Sequence, residues 1–169
     1  RGLGDVYKRQ LPSGGDSQLI FMQSAIDKMD DKVGRAAIIE NGSPLFTGGT
    51  ASGESQIRRW ILEQDLLEAI IALPTDLFYN TGIATYVWIM SKNKRPERKG
   101  YVQLIDATSI FHKLRKAAGN KKNELLPEDR SKIVKLYTAF EESEYCKIFK
   151  NEEFMYREYT VMPVSYTHL

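Results

Sequence analysis

Apolar residues recur at helical spacing over residues 16–29, where Leu19, Met22, Ile26 and Met29 share one face and Gln18, Asp27 and Lys28 turn outward. The spacing predicts an amphipathic helix with Asp16 as its N-cap. Residues 34–40 (GRAAIIE) are short, apolar and bounded by turn formers, the pattern of a buried strand. Residues 41–53 hold four glycines and a proline, which predicts an irregular strand-to-helix loop of a length often tied to function. A helix over 54–64 follows, with Ile57, Trp60 and Ile61 as its stripe and Glu54 in the first turn, where the helix dipole favours an anion. Residues 67–73 are almost wholly apolar, as in a strand covered on both faces. Residues 83–90 (IATYVWIM) are rich in β-branched and aromatic side chains and predict a second central strand. Pro74 closes the first of these because it cannot donate to a ladder.

Beyond a charged turn, residues 101–107 (YVQLIDA) predict a further strand, near enough in sequence to 83–90 to pair with it antiparallel. A basic linker carrying His112 leads to Pro127, which with Glu128 and Asp129 behind it marks a helix start. Ile133, Leu136, Tyr137 and Phe140 form that helix's apolar face. In the tail, YREYTV (156–161) reads as a short strand and Cys146 falls near the end of a helical stretch. Strand, helix, strand, hairpin and helix together predict part of an α/β sandwich with one antiparallel sheet edge.

Composition changes this picture little. The 169 residues are 42% hydrophobic, enough for one core. A single cysteine, Cys146, rules out an internal disulfide and suits a reducing, cytoplasmic setting. No apolar run approaches the roughly 20 residues that span a bilayer as a helix. The ends differ from the rest: residues 1–10 and 164–169 join no pattern and resemble translated sequencing-adapter read-through. The expected organisation is therefore a tail of artefactual origin at each end and one unit over 11–163, from a gene that continues in both directions.

Charge changes it more. The net +2 conceals ten Lys/Arg against Glu97 and Asp106 between residues 92 and 122, a local balance of +8 that leaves −6 elsewhere. Such a cluster fits either a polyanion, through counterion release, or a solvated connection. Lys92, Lys94, Arg95, Lys113, Arg115 and Lys116 are the candidates for DNA-backbone contact. One cysteine and two histidines give no metal constellation, and no phosphate-cradling glycine loop is present.

The remaining feature is the loop over residues 75–82, where Phe78, Tyr79, Asn80, Thr81 and Gly82 stand between the two buried strands. Adjacent aromatics in an extended loop point opposite ways, so at most one packs inward. Either they cap the core, or they form a platform for a planar ligand, with Asn80 and Thr81 supplying hydrogen bonds.

The stretches GRAAIIENGSPLFTGG, IRRWILEQDLLEAIIALPTDLFYNTGIATYVWIMSKNK and GYVQLIDAT resemble the later half of the adenine-specific DNA methyltransferase subunit of type I restriction-modification systems, with LPTDLFYNTGI the most specific block. The resemblance implies a partial Rossmann-like methyltransferase fold, a mixed sheet with an antiparallel hairpin. It also implies S-adenosylmethionine as cofactor, and double-stranded DNA with specificity and restriction subunits as partners. In that family the target base is extruded into the active site. The stacking role carries to Phe78 first and Tyr79 second, with Asn80, Thr81 and Gly82 beside them. Asn41 and Gly42, at the carboxyl end of a strand, are weaker pocket candidates. The family's glycine-rich cofactor loop and Asn-Pro-Pro-aromatic tetrapeptide have no counterpart, since the chain contains no Pro-Pro. No catalytic residue is therefore assigned, and the chain alone is expected to be inactive. Two other readings stay open: a nucleic-acid-binding module using the basic stretch, and an α/β protein-interaction module.

Overall fold

The computed structural model describes residues 17–156 and residue 159. Its frame is a five-stranded mixed sheet in the order β1–β3–β2–β4–β7, with a separate two-stranded hairpin, β5–β6. The strands are β1 (Arg35–Asn41), β2 (Leu67–Leu73), β3 (Thr85–Ser91), β4 (Tyr101–Asp106), β5 (His112–Ala118), β6 (Lys121–Glu124) and β7 (Cys146–Lys150). The helices are α1 (Gln18–Lys28), α2 (Ser43–Phe46), α3 (Gly53–Glu63) and α4 (Pro127–Ala139), with 3-10 turns at Pro96–Arg98 and Asn151–Phe154.

One face of the sheet packs on α1 and α3. Leu19, Met22, Ile26, Ile57, Trp60 and Ile61 are buried against Leu67, Trp88, Met90 and Val102, the stripes that the helical spacing predicted. The other face is covered by α4, whose Ile133, Leu136 and Tyr137 pack on Ile71, Leu73, Ile105, Cys146 and Ile148. β2 is nearly continuous in its burial because both layers cover it. The helix at 54–64 is met by α3, its Ser52 hydroxyl accepting from the Ser55 N–H as an N-cap. The expected cap Asp16 lies outside the described residues, as does most of YREYTV.

Several expectations are corrected. The strand at 101–107 does not pair with that at 83–90. β3 is flanked on both edges by β1 and β2, each antiparallel to it. β4 therefore joins the far edge of β2, in parallel. The chain crosses beneath the start of β2, and Asp65, held at φ 53°, organises the crossing. Its carboxylate accepts from Lys94 Nζ at 2.5 Å, Gly100 N–H at 2.9 Å and Asn151 Nδ2 at 2.8 Å. The loop 41–53 contains one regular turn, α2, started by Pro44. Cys146 opens β7 instead of closing a helix. It is 1% exposed, and its Sγ accepts from Gln103 Nε2. The basic linker is the β5–β6 hairpin. Its outward side chains show no alternation, because what seats it is main chain.

Candidate nucleic-acid interface

β1, β2 and β4 run in one direction and β3 in the other, so the sheet has a carboxyl end at Asn41, Leu73 and Asp106, with the start of β3 among them. Thr85 stands opposite both Asn41 and Leu73. At this end an open α/β sheet places its ligands, and here the β2–β3 loop emerges.

That loop is shaped by local chemistry. Asp76 takes the left-handed region at φ 57°, and a Cβ on Gly82 would lie 2.5 Å from the Asp76 Oδ1, so a larger residue there would push the Asp76 carboxylate aside where the loop folds back. Phe78 and Thr81 form a single antiparallel bridge, which leaves Tyr79 and Asn80 at the tip of a turn. Phe78 is half-buried and Tyr79 is 67% exposed, so the two rings do face different surroundings. The Thr81 hydroxyl accepts from the Ile83 N–H at 3.3 Å.

The β5–β6 hairpin is seated against this loop through backbone atoms. The Asp76 carbonyl accepts from the N–H groups of Lys122 at 2.9 Å and Asn123 at 3.1 Å, and the Tyr79 carbonyl accepts from Asn120 N–H at 3.0 Å. Asn123, 7% exposed, donates its Nδ2 to the Thr75 carbonyl at 2.9 Å. Gly119, at φ 62°, lets the hairpin turn approach: a Cβ there would lie 2.6 Å from the Tyr79 carbonyl oxygen. The Lys121 ammonium lies 5.1 Å from the Tyr79 ring centre. At its base the hairpin is tied to α4, where the Asp129 carboxylate receives His112 Nδ1 at 2.8 Å and caps the Leu126 N–H at 2.9 Å. The Asp129 hydrogen bond holds the His112 pKa above its ordinary value. Burial opposes ionisation of Asp129, yet the bonds from His112 and Leu126 prevail and lower its pKa.

The structure divides the basic residues between two ends of the sheet. Lys113, Arg115 and Lys116 lie exposed on the hairpin beside the aromatic loop, and among the described residues their side chains have no ion-pair partner. Lys92, Lys94 and Arg95 follow β3 at the opposite end. Lys94 is 4% exposed and held by Asp65; burial lowers its pKa and the Asp65 bond works against that. Lys92 Nζ donates to the Met29 carbonyl and to Asp31. Neither of these ammoniums faces the surface that carries the aromatic loop. Arg95 is exposed beside a small cavity that Arg35, Glu68, Arg98 and Tyr137 also line.

Asn41 and Gly42 form a ledge at this strand end. The Asn41 Oδ1 accepts from Ser43 N–H, and a Cβ on Gly42 would lie 3.2 Å from the Phe46 ring. Sequence reasoning did not single out Thr85 or Asn123 as structural partners of this site. Thr85 Oγ1 is buried with no hydrogen-bond partner among the described residues and stands opposite Asn41 in the ladder, but it reads in sequence as one more β-branched strand residue.

The family model described as N-6 DNA Methylase matches residues 4–169. The chain is 32% identical over 158 residues to the type I restriction enzyme MjaVIII methylase subunit of Methanocaldococcus jannaschii, covering 93% of this chain and 26% of that protein. It is 28% identical to the HindI methylase subunit of Haemophilus influenzae, covering 92% of this chain and 34% of that one. Among solved structures, the type I restriction-modification methyltransferase subunit from Streptococcus thermophilus superposes with a TM-score of 0.76 at 25% identity, over 89% of this chain and 30% of that one. The chain thus spans about a quarter to a third of the length of these relatives.

Proposed function

From the premise that the chain belongs to the N-6 DNA methylase family, we propose that it is a segment of the modification subunit of a type I restriction-modification system. That subunit would transfer a methyl group from S-adenosylmethionine to the exocyclic amine of adenine in duplex DNA, in the cytoplasm, alongside specificity and restriction subunits. Among the described residues no helix is long and apolar enough to cross a membrane. The observation that carries the reading is the aromatic loop held at the carboxyl end of the sheet by a hairpin of unpaired basic side chains. In this reading Phe78 stacks on the extruded adenine, Tyr79, Asn80, Thr81 and Gly82 border it, and Lys113, Arg115 and Lys116 meet the phosphates. Asn41, Gly42 and Thr85 form the neighbouring ledge.

The residues of this chain do not by themselves fit the cofactor. The Asn41 oxygen already serves the turn of α2, and the Phe46 ring stands close over Gly42. The chain's part in the reaction is to bind and orient the base, and the cofactor belongs with the remainder of the subunit.

The test is base extrusion by the intact subunit in its complex, read by the fluorescence of 2-aminopurine at the target adenine. Phe78→Ala is expected to lower both extrusion and methyl transfer roughly 5- to 150-fold, the range for losing one base–aromatic stack. Unchanged fluorescence and turnover would refute the role. The 169-residue chain alone, given labelled S-adenosylmethionine and DNA, is expected to transfer no methyl group; measurable transfer would overturn that part of the reading.

A further inference from the structure

Between the aromatic loop and the basic hairpin lies a cleft of about 370 Å³ lined by Asp76, Phe111, Lys113, Leu114, Ala117, Lys122 and Asn123. It is separate from Phe78, Tyr79 and the strand-end ledge, none of which line it. Its walls are fixed: Lys122 and Asn123 donate their N–H groups to the Asp76 carbonyl, and Asn123 Nδ2 reaches Thr75. Its apolar members, Phe111, Leu114 and Ala117, sit among Lys113 and Lys122. Both lysines are exposed, and neither side chain has an ion-pair partner among the described residues. Asp76 is the one carboxylate on the lining, and its Oδ1 lies back against Gly82.

We propose that this cleft is a second nucleotide site, which receives a nucleotide of the DNA strand next to the extruded adenine. Phe111 supplies the ring against which the base lies, and Lys113 and Lys122 hold its phosphate. The chemistry is that of single-strand recognition, in which ammonium groups track the backbone and an aromatic face accepts any base. A nucleotide suits this cleft better than a purely apolar ligand, because two unpaired ammoniums flank the apolar surface and Arg115, Lys116 and Lys121 extend the same charge along the hairpin. Asp76 on its lining is two residues from Phe78 in the same docked loop, so a strand opened by base extrusion has a place for the neighbouring nucleotide. The proposal rests on the base-extruding reading above, and it predicts a binding property that needs no methyl transfer.

The experiment uses the full 169-residue chain and a short 5′-phosphorylated single-stranded deoxyoligonucleotide, followed by fluorescence anisotropy at several salt concentrations. Saturable binding is expected. Phe111→Leu should weaken it about tenfold, with Phe111→Tyr restoring it. Paired Lys113→Gln and Lys122→Gln should reduce the salt slope by about 1.4, the value for two contacts on single strands. Val33→Ala, at an exposed position at the opposite end of the sheet, should leave this affinity within about twofold. Should Phe111→Leu impair folding in a thermal melt, Ala117→Glu, at an exposed position, places a carboxylate in the cleft and should abolish binding. No saturable binding by the unmodified chain overturns the proposal. So does binding that the charge variants weaken but Phe111→Leu and Ala117→Glu leave unchanged, the behaviour of a diffuse basic surface. If Phe78→Ala removes the binding instead, the strand lies on the aromatic loop: the second site falls and the extrusion reading stands. If the cleft variants behave as expected while Phe78→Ala leaves 2-aminopurine extrusion intact, the site stands and the extrusion reading falls.

Discussion

Glu68 is 4% exposed and Arg98 2%, at the sheet end away from the aromatic loop. The Glu68 carboxylate accepts from Tyr137 Oη at 2.6 Å and lies 3.5 Å from Arg98 Nε and 3.2 Å from Arg35. Burial, with Glu68 second, raises the Tyr137 hydroxyl pKa, so it stays a donor. Arg98 also donates to Gln103 Oε1 and to the Tyr137 carbonyl, and lies over the Tyr137 and Phe140 rings. It thereby pins the carboxyl end of α4, where a cation suits the helix dipole. Removing the carboxylate leaves a buried guanidinium without its counter-charge, so Glu68→Leu should destabilise the chain by about 3 kcal/mol in a urea titration. Glu68→Leu combined with Arg98→Met should cost less, because the uncompensated charge goes as well. None of this is legible in LEAIIAL or in PERKG. A buried ion pair between residues thirty positions apart depends on the crossing of two segments, and sequence spacing does not encode that crossing. Lys94 shows the same blindness: it stands in a basic run yet is buried on Asp65.

The β5–β6 hairpin is the element whose form the sequence conceals most, for a related reason. HKLRKAA lacks the alternation of a half-buried strand because the hairpin is seated through its turn and β6, whose N–H groups donate to carbonyls of the aromatic loop. By contrast β2 was readable to the residue, since both of its faces are covered and the apolar run records that directly. The error in pairing β4 has a physical origin too: proximity in sequence favours a hairpin, but both edges of β3 are already taken. The hairpin's tie to α4 through His112 and Asp129 makes a pH prediction. The groups acting on His112 are Asp129, Glu128 and Glu124. A histidine pKa raised on folding adds stability that is complete below its ordinary 6.5 and is lost as pH climbs through the raised value. The lowered Asp129 pKa adds stability that is present above its ordinary 3.8 and is lost as pH falls through the folded value. Thermal melts should therefore be highest between these limits. His112→Gln should flatten the decline on the alkaline side and also weaken the one on the acid side, because the His112 bond is part of what lowers the Asp129 pKa. An unaltered alkaline decline would assign it to other groups.

At the scale of the whole sheet, the described residues cover it unevenly, and the imbalance falls on β1. That strand pairs with β3 on one side, and among the described residues no strand pairs with its outer edge. On the face away from α1, its Ile39 is 53% exposed, in register with the half-buried Val87. Native edges are usually blunted by charge, proline, bulges or a covering element. β1 has Arg35 and Glu40 near its ends but an apolar middle, AAII, and among the described residues no strand takes up its outer backbone groups, although the Asn41 N–H donates to Gln18 Oε1 at 3.1 Å. Two copies can add strand to strand there, each supplying the ladder the other lacks, while the apolar sides of Ala37 and Ile39 leave water together. The isolated chain should therefore self-associate with rising concentration in sedimentation velocity. Ile39→Lys should shift it toward monomer, because a charge at the centre of that face must be desolvated for two edges to meet, while at an exposed position it costs the folded monomer little. A chain that stays monomeric without the substitution would mean that β1 is protected by some other part of the molecule. An Ile39→Lys variant that associates as strongly as the parent would move the sticky surface elsewhere, with the exposed Val134 face of α4 the next to substitute.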